Sequence, residues 1–292
     1  VNLGRGFKPD ATGRALAAGM VPHHQLPGLG VPRPKASLPA TQNYTLLPAI
    51  GGVGNQGSLG SCVAFTIWRD LLGLSLAGQG TPMILSPMAG YTRSLRMTQK
   101  INGVPDTTTI TDDGLEPSIA VMALYAEGPS LESEWPYDVS TFGQAESFVQ
   151  AADSAPRIPL VNGVYAGIAE TGQALVTAVA QALQPLPDGR LGRGVAFDID
   201  ADDPAFQNAT GADVLGAPTT NNPTNHEISV IDVAPAADGS LIFLCLNHWA
   251  TTWSPLCHVP GCVWVSEQFV MAYGARGSSF RLINAELAKA PS

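Results

Sequence analysis

NQGSLGSCVAF, residues 55–65, sets one cysteine between a run of glycine and serine and an apolar stretch. From Ser61 to about Leu76, the residues Phe65, Trp68, Leu72 and Leu76 recur at three- and four-residue spacing. That spacing predicts an amphipathic helix, ended by Gly78 and Gly80. Cys62 then stands at the helix start, where unpaired backbone N–H groups and the positive end of the helix dipole favour a thiolate. The competing explanation is a cysteine that simply packs inside a helix.

A nucleophile needs a base. Of the five histidines, His23 and His24 lie in a proline-rich N-terminal stretch and His258 lies in a cysteine loop, which leaves His226 and His248. His226 heads the strand-like HEISVIDV, and Asn247 ends the next strand-like run, LIFLCLN. If the two strands pair as a hairpin, imidazole and amide lie side by side, the base-plus-orienter arrangement of nucleophilic catalysis. Taken singly, His226 is equally a satisfied core histidine, Asn247 a turn residue and Gln56 a loop amide.

Composition narrows the classes. The chain has 292 residues, 45% of them apolar and 13% charged, enough to bury a sizeable core. No apolar run is long enough to span a membrane, which predicts a soluble globular protein. The net charge of −9 argues against nucleic acid and anionic membrane surfaces as partners. Residues 1–37 hold Arg5, Lys8, Arg14, Arg33 and Lys35 against Asp10 alone, so this segment carries +4 and the rest −13. Four cysteines are too few for a disulfide framework. Cys257 and Cys262 bracket HVPG beside His258. A structural zinc would need further ligands, so a local disulfide and two free thiols are the readings to weigh. A bridge would favour a secreted or periplasmic location, which is otherwise open. No metal or organic cofactor is implied.

Residues 1–40 are rich in proline and glycine without hydrophobic periodicity and read as an extended arm. Further helices are expected over 115–126 and 170–183, and strands in GVAFDID, HEISVIDV, LIFLCLNHW and CVWVSEQF. Helices dominate the first half and strands the second.

NQGSLGSCVAF, the NH at 225–226 and NHWATTW at 247–253, in that order, resemble the three catalytic blocks of the papain family of cysteine peptidases. LSPMAGY (85–91) and DDGLEPSIAVMALYAEGPSLESEWPYD (112–138) are similar to its next two segments, so the resemblance covers about residues 38–285. It implies an α+β, two-lobed papain-like fold: a mainly helical lobe (38–150) with the nucleophile, a β-barrel-like lobe (151–292) with histidine and asparagine, and a cleft between them. It implies Cys62 as nucleophile, His226 as its partner, Asn247 as orienter and Gln56 as oxyanion donor beside the Cys62 N–H. Trp249 would cover the His–Asn bond, and Asp113 and Gly114 would lie at the substrate rim. Thr224 and Glu227 flank His226 closely enough to shape the adjoining pocket. A buried Glu227 would favour a basic substrate side chain there, but a solvated carboxylate is the expectation.

Several positions depart from the family pattern. Val63 replaces an aromatic residue, His248 and Ala250 replace the serine and glycine around the tryptophan, and Leu59 replaces a cysteine, in a bacterial style. His226 and Asn247 lie 164 and 185 residues after Cys62, beyond the usual ~130 to 150, which points to insertions across 184–224. The expected activity is peptide-bond hydrolysis, with acyl transfer to an amine or a catalytically silent binding protein as alternatives. The expected partners are a peptide or protein substrate and the chain's own arm, residues 1–37, laid across the cleft as a short inhibitory prosegment.

Overall fold

A computed structural model describes residues 38–105, 108–142, 157–158, 160–276 and 280–287. The arm at 1–37 lies outside the described residues. The helix expected after Ser61 is present as a continuous run, α1, in three parts: α-helical Cys62–Ala64, π-helical Phe65–Leu71 and α-helical Leu72–Gly78. The π-helical part is buried throughout, including Arg69 and Asp70, and widened turns of this kind gather at functional sites.

Two proline-initiated helices pack against α1. α2 (Pro87–Ile101) starts where the Ser86 hydroxyl accepts the Ala89 N–H at 3.0 Å. α3 (Pro117–Glu127) ends at Gly128, whose φ of +73° only glycine adopts freely and whose Cβ would sit 2.6 Å from the Ile158 carbonyl oxygen. Trp68, Leu72, Tyr91, Leu95, Ala120 and Leu124 form the core of this helical side. Trp68 adds a bond from its indole N–H to the Ala120 carbonyl, 3.1 Å.

The second half forms a six-stranded antiparallel sheet, β1 (Leu160–Ile168), β2 (Val195–Ile199), β3 (His226–Pro235), β4 (Leu241–Leu246), β5 (Cys262–Ser266) and β6 (Phe280–Leu287), in the order β1-β6-β2-β3-β4-β5. α4 (Gly172–Ala182) and α6 (Glu267–Ala275) bring Leu175, Val179, Phe269 and Tyr273 against Phe197, Val230 and Phe243. β3 and β4 pair as the expected hairpin, with a register shift between Val230 and Asp232. The expected strand CVWVSEQF stops at Ser266 because that hydroxyl accepts the Phe269 N–H at 3.3 Å and caps α6. The region 184–224 carries only β2, the short helix α5 (Pro204–Gln207) and long connections.

Chain order and packing differ at one place. Leu38 belongs to the core of the sheet, and the segment after it is gripped by Asp232 of β3. That carboxylate accepts from the Thr41 hydroxyl (2.7 Å) and the N–H groups of Asn43 (2.6 Å) and Tyr44 (2.8 Å). Burial raises its pKa, and the three donors oppose the rise without cancelling it. The Asn43 amide donates to Ile231 O and accepts from Gly192 N–H. The strap from 38 to 44 is therefore fastened to the sheet before the chain enters the helical side.

Candidate active site

His226 opens β3 and Asn247 directly follows β4, so the hairpin brings the two together as its pattern predicts. The imidazole Nε2 and Asn247 Oδ1 are 2.8 Å apart. Asn247 Oδ1 also accepts the His248 backbone N–H at 2.8 Å. An atom that accepts from a backbone N–H is the carbonyl end of the amide, so His226 Nε2 is the donor and Nδ1 is the nitrogen left to exchange a proton. Trp249 lies over the pair, its ring centroid 5.0 Å from that of His226 and tilted by 30°. Phe206 and Trp253 back it at 5.7 and 5.8 Å. Water is thus kept from one side of the His–Asn bond.

Cys62 begins α1, and the first turn of α1 packs against β3. Ser61 stands at the N-cap but makes no side-chain cap bond. Its hydroxyl lies 2.6 Å from the Tyr137 hydroxyl instead. Tyr137 has one proton and gives it to Gln56 O at 2.8 Å, so Ser61 is the donor to Tyr137. Burial pushes the Tyr137 hydroxyl well above its usual range, which keeps that proton in place. Gly60 N–H is held by Asp112 Oδ1 at 2.8 Å, and Tyr91 donates to the same oxygen. Gln56 Nε2 donates to Leu59 O at 2.9 Å, which fixes the rotation of its amide.

The two parts of the site are joined directly. Asn55 forms an isolated bridge with Trp249, Gln56 N–H donates to His248 O at 2.8 Å, and Ala250 N–H donates to Gly54 O at 3.0 Å. Gly54 is required there: a Cβ would lie 2.5 Å from the Phe65 ring. Cys62, Gln56, His226 and Asn247 all have 0% exposed surface.

The expected pocket residues separate. Asp113 is exposed and accepts the Thr111 hydroxyl, Gly114 is buried with φ +72° and its N–H on the Tyr91 hydroxyl at 3.3 Å, and Thr224 is half-buried. Glu227 is fully buried rather than solvated, because β3 is an interior strand covered on both faces, and it stands opposite Asp198 of β2. Of the two readings of the cysteine loop, the structure has the free thiols rather than the bridge, and Cys62, Cys245, Cys257 and Cys262 are all unbridged. Cys257 Sγ instead lies 3.7 Å from His258 Nδ1, and with the bridge goes the argument for an oxidising compartment. Burial raises the pKa of Cys245, Cys257 and Cys262. Among the described residues no cluster of three or more His, Cys, Asp or Glu could hold a metal ion, and no helix is long and apolar enough to cross a membrane.

Sequence reasoning missed the partners of His248. It is fully buried, with Nε2 2.7 Å from Asp70 Oδ2. The only signal was its departure from the expected serine.

This architecture is the papain-like fold, α+β, with helices beside an antiparallel sheet. The bromelain protease from Ananas comosus in complex with E64 matches with a TM-score of 0.57 at 14% identity, covering 84% of this chain and 97% of that one. Digestive procathepsin L 3 of Tenebrio molitor larval midgut gives 0.59 at 19% identity, over 96% and 75%. A structure reported for the cross reactivity of the mite allergens Blo t 1 and Der p 1 gives 0.63 at 12%, over 97% and 80%. In sequence, cysteine endopeptidase Rep1 of Oryza sativa subsp. japonica is 26% identical over 222 residues, 74% of this chain and 51% of its own. The chain thus spans about half the length of that curated relative. No family model matches.

Proposed function

We propose that the protein is a cysteine peptidase that hydrolyses peptide bonds through an acyl-thioester on Cys62. The observation that carries the proposal is the His226–Asn247 bond, with its amide oriented by the His248 N–H, on a strand packed against the helix that Cys62 begins. The likeness in fold and the endopeptidase relative support it.

In the first step Cys62 Sγ, as thiolate, attacks the substrate carbonyl carbon. A C–S bond forms and the carbonyl electron pair moves to oxygen, where the Gln56 amide and the Cys62 N–H stabilise the developing charge. The C–N bond then breaks and the amine leaves with the proton held on His226 Nδ1. Water attacks the thioester, His226 takes its proton, and the acid departs as Cys62 is restored. Asp113, Gly114, Thr224 and Glu227 belong to the proposal as substrate-binding residues, with Trp249 as a shield. The buried Glu227 favours a basic side chain in the adjoining pocket. A bacterial branch of the papain family remains part of the proposal, on the strength of Leu59.

Control by residues 1–37 is proposed with it. A thiol with no exposed surface must be uncovered before a polypeptide reaches it, and a +4 segment is attracted to a −13 body until salt screens it. A chain beginning at Ser37 should then exceed the full chain in activity, and equal activity at low and high salt removes this part of the proposal.

Products from one peptide substrate, with and without an added amine, test the main proposal. Free acid from the wild type and none from Cys62→Ala is expected. An amine adduct as the dominant product would make the protein an acyltransferase, and activity in Cys62→Ala would end both ideas.

A further inference from the structure

His248, a densely connected residue of the site, has no role in the proposed chemistry. It makes five contacts to four separate pieces of the site, one of them an edge-on approach to the His226 ring with centroids 6.3 Å apart. Its N–H holds Asn247 Oδ1 and its carbonyl holds the Gln56 N–H, each at 2.8 Å. Its Nε2 donates to Asp70 Oδ2 at 2.7 Å, since a carboxylate can only accept. Its ring stacks on Phe65 with centroids 5.2 Å apart and planes 29° from parallel.

The acceptor is as firmly placed as the donor. Asp70 lies in the π-helical part of α1, two turns beyond Cys62, with no exposed surface. Arg69 Nη1 meets its other oxygen at 2.9 Å, and Arg69 is itself held by Gly52 O at 2.7 Å. Ser229, three residues beyond His226 on β3, donates to Asp70 Oδ2 at 3.2 Å. One carboxylate therefore ties the helix of the nucleophile to the strand of the base and to the loop of the orienter.

We propose that His248 is a positioning residue, which through Asp70 sets the register of Asn247, and hence of the His226 imidazole, against the start of the Cys62 helix. This rests on the peptidase proposal above. A buried polar contact of this kind rarely increases stability over a well-packed apolar pair of the same volume, and in several proteins its use is to fix geometry. Reactive groups displaced by about 1 Å lose on the order of 100-fold in rate, so the pair is placed where fixed geometry matters most. His248 meets the His226 ring only edge-on and exchanges no proton with it in this scheme, so it should govern kcat more than KM.

The experiment compares the full-length wild type with His248→Leu, which fills the space without a donor, and His248→Gln, whose amide reaches Asp70 as a donor. Each is titrated with an epoxysuccinyl probe, so that kcat refers to competent sites only. The rate of Cys62 alkylation by iodoacetamide is followed against pH. For His248→Leu we expect kcat per titrated site to fall about 10- to 100-fold with KM within about threefold, and reactivity at low pH to be lost as the thiolate–imidazolium pair loosens. His248→Gln should recover most of both. Full kcat and an unchanged alkylation profile in His248→Leu would overturn the proposal. If that variant does not fold, His248→Gln is compared with His248→Asn, whose shorter amide falls short of Asp70, and equal kcat per site overturns it. Failure of the peptidase reading is separately visible: the wild type then takes up no probe at Cys62, and both proposals fall.

Discussion

His226 and Asn247 are carried by a regular backbone ladder, whereas Cys62 and Gln56 follow an irregular loop held by isolated backbone bonds and by side chains. On the sheet side, β3 lies between β2 and β4, with Ile199 opposite His226 and Leu246 opposite Ser229. Main-chain bonds set the hairpin that carries those two residues, with the His248–Asp70 bond proposed above as a further constraint. On the loop side, residues 54–61 depend on a few long-range contacts: Tyr137 to Gln56 O, Ser61 to Tyr137, Asp112 to Gly60 N–H and Phe65 under Gly54. Equal precision reached in two ways should differ in tolerance. Outside the reacting groups and His248, changes should do more harm on the loop side.

The largest effects respect no such division, since the proposed chemistry makes nucleophile and base one unit. Cys62→Ala and His226→Ala should each abolish turnover, and the double variant should be no worse than either. Steady-state hydrolysis of a peptide substrate checks this. Gln56→Ala should leave a residual rate about 100- to 1,000-fold down, as for loss of one oxyanion donor. Wild-type kcat in that variant would remove Gln56 from the site.

The comparison itself is sharpened by Tyr137→Phe. It deletes a bond to Gln56 O and one from Ser61 with little change of shape, and should cost about 1 to 3 kcal/mol in thermal or denaturant unfolding, together with a fall in kcat. A substitution of similar size in the β3–β4 turn, such as Ser240→Ala, should leave kcat unchanged although it removes the hydroxyl bond to Asp238. Equal effects on kcat would show that the loop is no more sensitive than the sheet. The smallest change expected is at Ala250, where φ is +63°. A non-glycine residue there carries strain, partly offset by the greater unfolded-state freedom of glycine, so Ala250→Gly should add up to about 1 kcal/mol of stability without loss of activity.

The same contrast explains what was legible in the sequence. The helix after Ser61, the hairpin of HEISVIDV and LIFLCLN, and the meeting of His226 with Asn247 follow from local periodicity and from the order of three short blocks. CVWVSEQF was misread at its end because strand-like residues gave no weight to Ser266 as a cap. The strap at 38–44, the buried Glu227 and the Asp70–His248 pair were not legible. Each depends on neighbours distant in the chain, such as Asp70 and His248, 178 residues apart, and Thr41 and Asp232, 191 apart. No local pattern records such separations. Cys257 and Cys262 show the converse, since closeness in sequence suggested a bond that the fold does not make.

The central claim is that the fold activates one thiol of four. Mass-spectrometric mapping of the native protein, treated with one equivalent of an epoxysuccinyl probe, tests it most directly. Cys245, Cys257 and Cys262 have raised pKa values and no imidazole–amide pair presented to them by the β3–β4 hairpin, and should remain unmodified. The account predicts a single adduct, on Cys62, that disappears in His226→Ala. Labelling spread over the other cysteines, or an adduct on Cys62 that forms equally fast without His226, would contradict it.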